Sequence, residues 1–206
     1  MSLSLSLWLS LVAVCALGAM SPGPSLALVL RHTLGGGRAS GVSAGVAHAF
    51  GVGVYALLTV WGLGALMARQ PLLFQLISWA GAAYLAWLGI QALRSRPGEF
   101  IEPQQQATAR LRAARDGLLV AFGNPKLVVF FVALLSQFVT PDLGLAGKLI
   151  IVLTAMLIDA SWYVLVALTL SNSRILPLVR RQAHWLQRLT GVVLLGLALR
   201  VLWGVL

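Results

Sequence analysis

Two ionisable residues stand deep inside apolar stretches. Lys126 lies 11 residues beyond Arg115 and 14 before Thr140, and Asp159 lies 11 beyond Lys148 and 14 before Ser173. At about 1.5 Å of rise per helical residue, both sit near the middle of a membrane-thick segment. Charges at that depth are costly and mark function more often than packing. Opposite signs at equal depth invite a static ion pair. The same two groups can instead make substrate or proton contacts. His48, ten residues past Arg38, titrates near neutral pH and is a second proton candidate. Its alternative reading is a structural histidine satisfied by a neighbouring carbonyl.

The backbone supplies the second kind of chemistry. Ser21-Pro22-Gly23-Pro24 interrupts one apolar run and Gly123-Asn124-Pro125-Lys126 interrupts another. Each proline lacks an N–H, so the helix ladder opens there. Lipid cannot satisfy the freed carbonyls, so such breaks persist only against protein or a wet cavity. A fresh half-helix starting at Pro24 or Pro125 has unpartnered N–H groups and a positive dipole end, which attract a carboxylate. Asn124 is a cap for the second half-helix, and Ser21 or Ser25 for the first. The plainer alternative is a pair of proline kinks with a packing role. On the functional reading, Pro22, Gly23, Pro24, Ser25, Asn124, Pro125, Lys126 and Asp159 bind substrate, and Asp159 and His48 couple protons.

These groups need a scaffold, and the composition says which. The chain has 206 residues, 59% hydrophobic and 10% charged, against about 25% charged in soluble domains. Six segments are long and apolar enough to span a bilayer: about 3–30, between Arg38 and Arg69, 71–93, 117–139, 149–172 and 189–206. The expected fold is all-α: six transmembrane helices in one membrane domain, with spans one and four interrupted. The residues before Leu30 hold no charge, unlike the basic start of a cleaved signal, so this segment is expected to be a retained span. Arg31, Arg38, Arg94, Arg96, Arg110, Arg112, Arg115, Arg174, Arg180, Arg181 and Arg188 fall in the loops after spans one, three and five, against Arg69 and Lys148 on the other side. The crowded side is the cytoplasmic one, which places both termini outside.

Residues 95–116 read as a cytoplasmic linker between halves 1–94 and 117–206, with Ala107–Asp116 able to form a basic helix on the inner leaflet. Three spans per half force opposite orientations, as in inverted-repeat transporters. Gly35-Gly36-Gly37 reads as a turn. Gly41, Gly45, Ala49 and Gly53 form a ridge of small residues at four-residue spacing, suited to close helix packing or to a homodimer face.

The net charge of +10 sits in short loops beside apolar runs, which points to anionic lipid and not to nucleic acid. The single cysteine, Cys15, excludes an internal disulfide and reads as a packing residue. No histidine or cysteine cluster suggests a metal, no phosphate loop suggests a nucleotide, and no serine–histidine–acid pattern suggests an enzyme. No cofactor is expected.

The chain resembles the lysine-exporter (LysE) superfamily, in its homoserine/threonine resistance branch. The resemblance rests on Ser21-Pro22-Gly23-Pro24, on Gly45 to Tyr55 around His48, on Gly81 to Gly89, on Gly117 to Lys126, on Gln137-Phe138-Val139 and on Asp159-Ala160-Ser161-Trp162-Tyr163. It covers nearly the whole chain. It implies a six-helix protein of a bacterial-type inner membrane that exports amino acids or related small zwitterions by proton antiport. Two departures stand out: Ser25 follows the first Pro-Gly-Pro where the family often has Asn, and some relatives carry an acid near the position of His48. Alternatives from other classes are a passive small-solute channel and a non-transporting scaffold built on the glycine ridge.

Overall fold

The computed structural model describes residues 4–21, 23–94, 109–140, 142–169, 185, 188–199 and 203. Pro22, most of the linker (95–108), Arg174, Arg180, Arg181, His184 and Arg200 lie outside them, as do the side chains of Pro125 and Lys126. All regular structure among the described residues is helical. In order it is α1 (Leu5–Met20), α2 (Pro24–Arg69), α3 (Pro71–Leu93), α4 (Arg110–Gly123), α5 (Pro125–Leu135), α6 (Leu145–Thr169) and α7 (Arg188–Leu199). Pro24–Leu63, Leu72–Leu93 and Leu145–Thr169 are long and apolar enough to cross a membrane, and α1 and α7 are shorter apolar helices.

Both interruptions stand where the prolines demand them. α1 ends at Ser21, whose N–H returns to the Leu17 and Gly18 carbonyls, and α2 starts afresh with Pro24 at its first turn. Asn124 alone separates α4 from α5, with an extended backbone (φ −93°, ψ 100°). α4 begins at Arg110, inside the stretch read as linker, so Arg110–Asp116 are the first turns of a longer helix. Ala113 in this stretch is fully buried, and packing on α2 extends the helix beyond the span.

The triple-glycine turn contracts to one residue. Helical hydrogen bonding runs through Gly35 and Gly36, and Gly37 alone leaves it, at φ 76° and ψ 177°. A Cβ on Gly41 would strike the Thr33 hydroxyl, and residues eight apart meet only if the chain folds back between them. α2 is therefore a hairpin of two helical arms, residues 24–36 and 38–69. That backbone region is open essentially to glycine alone, at a cost of about 1–3 kcal/mol for other residues. Nothing lies within 4 Å of a Cβ placed there, so Gly37→Ala isolates the backbone cost. It is expected to destabilise the protein by that amount, read from its unfolding midpoint in detergent.

The second arm of α2 lies between α4 and α6. The small-residue ridge faces α6: Gly41 meets Ala167, Gly45 meets Tyr163 and Gly53 meets Met156, an antiparallel register. The ridge is an intramolecular seam, so it offers no homodimer face. On the other side Gly117 meets Ala44 and His48, and Ala121 meets Gly51, so α4 runs parallel to this arm. α1 runs parallel to α6, with Trp8 Nε1 donating to the Thr154 hydroxyl at 3.0 Å near one end and the Tyr163 hydroxyl donating to the Ala19 carbonyl at 3.3 Å near the other.

Two apolar clusters fill the interior. The larger joins Leu11, Val52, Val60, Leu85, Phe131 and Ile151 with their neighbours. The smaller joins Leu26, Val29, Leu30, Ala44, Ala113, Tyr163, Val166 and Ala167. Outside, Phe50, Leu58, Trp87 and Leu157 stay more than half exposed. Large apolar side chains in that number suit a surface solvated by acyl chains. Lys148 Nζ sits 5.5 Å from the Trp61 ring centroid, a cation–π contact of the kind found where a bilayer meets water.

Candidate functional site

Asp159 and His48 meet across 111 residues of sequence. His48 Nδ1 lies 2.8 Å from Asp159 Oδ2, with both side chains buried. The ridge makes this contact possible: Gly45 and Gly53 bring the second arm of α2 against α6, one turn either side of His48. The His48 ring stands edge-on to Tyr163 at 5.2 Å and 82°, and Tyr163 is one helical turn beyond Asp159 on the same face. The other ring nitrogen, Nε2, is buried with no partner among the described residues. A buried carboxylate needs a hydrogen-bonding partner, and His48 Nδ1 supplies it for Asp159.

The same carboxylate reaches a cavity of about 40 Å³ whose walls include both backbone breaks: Gly23, Pro24 and Ser25 on one side, Asn124 on the other, with Asp159 and Tyr163 between. The breaks touch: Asn124 Nδ2 lies 3.5 Å from Ser25 Oγ. Cys15, Gly18, Phe130 and Phe131 form the apolar wall. This volume accommodates about three waters.

Two tyrosines finish the broken helix ends, and sequence reasoning placed neither in the site. A helix end leaves its last carbonyls without intrahelical partners. The Tyr163 hydroxyl, from α6, donates to Ala19 O near the end of α1. The Tyr55 hydroxyl, from α2, donates to Phe122 O at the end of α4, at 2.9 Å. Each tyrosine thus serves the break in the other half of the chain. The available signal was a hydroxyl at one-turn spacing from Asp159 inside an apolar run.

Of the expected site residues, Gly23, Pro24, Ser25, Asn124 and Asp159 converge on the cavity, and His48 stands behind Asp159. Pro22 lies outside the described residues. The backbone of Pro125 begins α5 beside Asn124, but its side chain and that of Lys126 are not described. Among the described side chains the partner on Asp159 is His48; the suggested Lys126–Asp159 pair falls on a side chain outside them. No group of three or more metal-ligating side chains occurs among the described residues.

Comparison with known proteins identifies the family. Residues 16–204 match the LysE type translocator family. A homoserine/homoserine lactone efflux protein of Salmonella typhimurium strain LT2 is 33% identical over 153 residues, 74% of each chain. A threonine efflux protein of Escherichia coli K12 is 25% identical over 202 residues, 96% of this chain and 98% of that one. An uncharacterized membrane protein of Vibrio cholerae is 32% identical over 139 residues, 68% of each. No solved structure matches. With the family covering nearly the whole chain and two of these relatives named as efflux proteins, the conclusion is that this chain belongs to the LysE type translocators, membrane transporters and not enzymes.

Proposed function

We propose that the protein exports amino acids or closely related small zwitterions from the cytoplasm by exchange with protons, across a bacterial-type inner membrane. The observation that carries this reading is the buried His48–Asp159 pair opening onto a cavity between two broken helices. Asp159 can host a proton or the ammonium of the cargo, and His48 shares the proton. A site that accepts one cation at a time exchanges them, which is the elementary requirement of antiport. The cargo carboxylate lies against the helix starts at Pro24 and Pro125, near Ser25 and Asn124, and Lys126, next in the chain to Pro125, is a further candidate for contact with it.

The chain on this reading has six spans, with both termini outside. α1 with the first arm of α2 makes one broken span, and α4 with α5 makes another. Halves 1–94 and 117–206 are inverted relative to each other, joined through 95–116. The relative helix directions and the reciprocal tyrosine bonds support this arrangement, because each half treats the other's break in the same way. Alternating access rocks one half against the other and widens the cavity.

The test is a panel of labelled amino acids and related metabolites in reconstituted vesicles, scored for movement out of the compartment equivalent to the cytoplasm. An imposed pH difference, acidic on the receiving side, is expected to drive at least one cargo against its own gradient. Movement that only equilibrates the solute would make the protein a channel, since a pore cannot concentrate what it conducts.

A further inference from the structure

The end of the bundle beyond the smaller apolar cluster carries a group of charges that the transport site does not use. Asp116, on α4, faces three basic side chains. Arg31 lies 3.1 Å away and His32 Nε2 3.3 Å away, both from the first arm of α2, and Arg115 from its own helix lies 3.6 Å away. Two of these contacts join residues more than eighty positions apart, one on the first arm of α2 and one on α4. Asp116 is mostly buried and His32 fully so, with its Nδ1 unpartnered among the described residues, while Arg31 remains partly exposed.

Position gives the cluster its meaning. Along the first arm of α2 the order runs from Ser25 on the cavity wall, through Leu26, Val29 and Leu30 in the apolar cluster, to Arg31 and His32. Along α4 it runs back from Asn124 through Ala121 to Gly117 and Asp116. Six residues separate Ser25 from Arg31 and eight separate Asn124 from Asp116, about 9 to 12 Å of helix. Along both elements the apolar cluster and then the Asp116 contacts lie between the cavity and this end of the bundle.

We propose that the Asp116 cluster is the latch of the inner gate: Arg31 and His32 hold the first half to α4 while the cavity is closed to the cytoplasm, and the contact breaks when cytoplasmic cargo loads. Asp116, Arg31 and His32 are then gating residues that never touch cargo, and the apolar cluster beneath them is the plug they compress. The proposal rests on the membrane orientation given under Proposed function.

Cys15 makes the latch measurable, because it is the one thiol of the chain and lies on the cavity wall. A positively charged, membrane-impermeant methanethiosulfonate reagent is applied to the full-length protein in inside-out and right-side-out vesicles. Asp116→Asn and Arg31→Gln are expected to raise the Cys15 modification rate from the cytoplasmic face on the order of fivefold. The rate from the outer face should not change, and the exchange of charges in Arg31→Asp with Asp116→Arg should return the cytoplasmic rate toward the original. Unchanged rates in the single variants would overturn the latch, and so would an equal rise from both faces, which reports general loosening. A rise confined to the outer face would keep the latch and overturn the orientation. The readout needs no cargo, so it stands apart from the transport assay. If Asp116→Asn fails to reach the membrane, Arg31→Gln and the charge exchange carry the same test.

Discussion

Asp159→Asn is expected to reduce proton-driven efflux by about 100-fold, the equivalent of roughly 3 kcal/mol of charge-specific stabilisation at the site, while leaving the protein folded. The separation of the two effects follows from geometry. Asp159 Oδ2 lies 2.8 Å from His48 Nδ1. An asparagine keeps a carbonyl oxygen there to accept from a neutral imidazole N–H, so the buried nitrogen is not orphaned. What disappears is the group that alternates between a proton and an ammonium. Downhill exchange of labelled cargo should persist more than uphill efflux does, because exchange without net proton movement needs no titrating group. Asp159→Ala provides the contrast: it removes the partner of His48 Nδ1, at about 1–3 kcal/mol for a buried polar group, and should lower expression as well as transport. Gradient-driven efflux from Asp159→Asn at the original rate would remove this residue from the coupling step.

Gly117→Val is expected to lower the unfolding midpoint in detergent by about 5–10 °C and to slow efflux with it, on an overpacking cost of about 1–3 kcal/mol. A Cβ at 117 would collide with the Ala44 carbonyl oxygen and come within 3.2 Å of the His48 backbone nitrogen. Both are main-chain atoms of a packed helix, so no side-chain rotation relieves the clash. α4 must move away from α2, and the displaced stretch is the one that positions His48 against Asp159. Stability and transport should therefore fall together. Gly62→Ala is the matched control, since nothing lies within 4 Å of its Cβ, and it should alter neither. A Gly117→Val protein with normal stability and full efflux would show that the close approach of α4 to α2 is dispensable.

The glycine ridge shows how far composition can be read. Small residues every four positions announce a close helix contact, but the partner on the other side is invisible in that pattern. The structure supplies α6, through Ala167, Tyr163 and Met156, which uses up the surface that a second copy would need. The turn at Gly37 behaves likewise. Three consecutive glycines mark a reversal, yet only one of them leaves the helix, because hydrogen bonding holds the other two until the strained φ can be taken in a single step.

What the sequence determined by itself is position along each helix. Proline chemistry set the breaks at Pro24 and Pro125, and apolar content required helical, membrane-crossing segments. Direction around the helix axis was not encoded in the same way. These spans are apolar on every side, so no amphipathic stripe tells which face of α6 meets α2 or which residue lies opposite Asp159. Only tertiary packing brought His48 to the aspartate. Packing likewise set the two tyrosines on the broken ends and brought Arg31 and Asp116 together. The reason is physical: in a segment where every face can meet lipid or protein at similar cost, partner choice is settled by the fit of small residues against backbone, a property of helix pairs and not of any single stretch of chain.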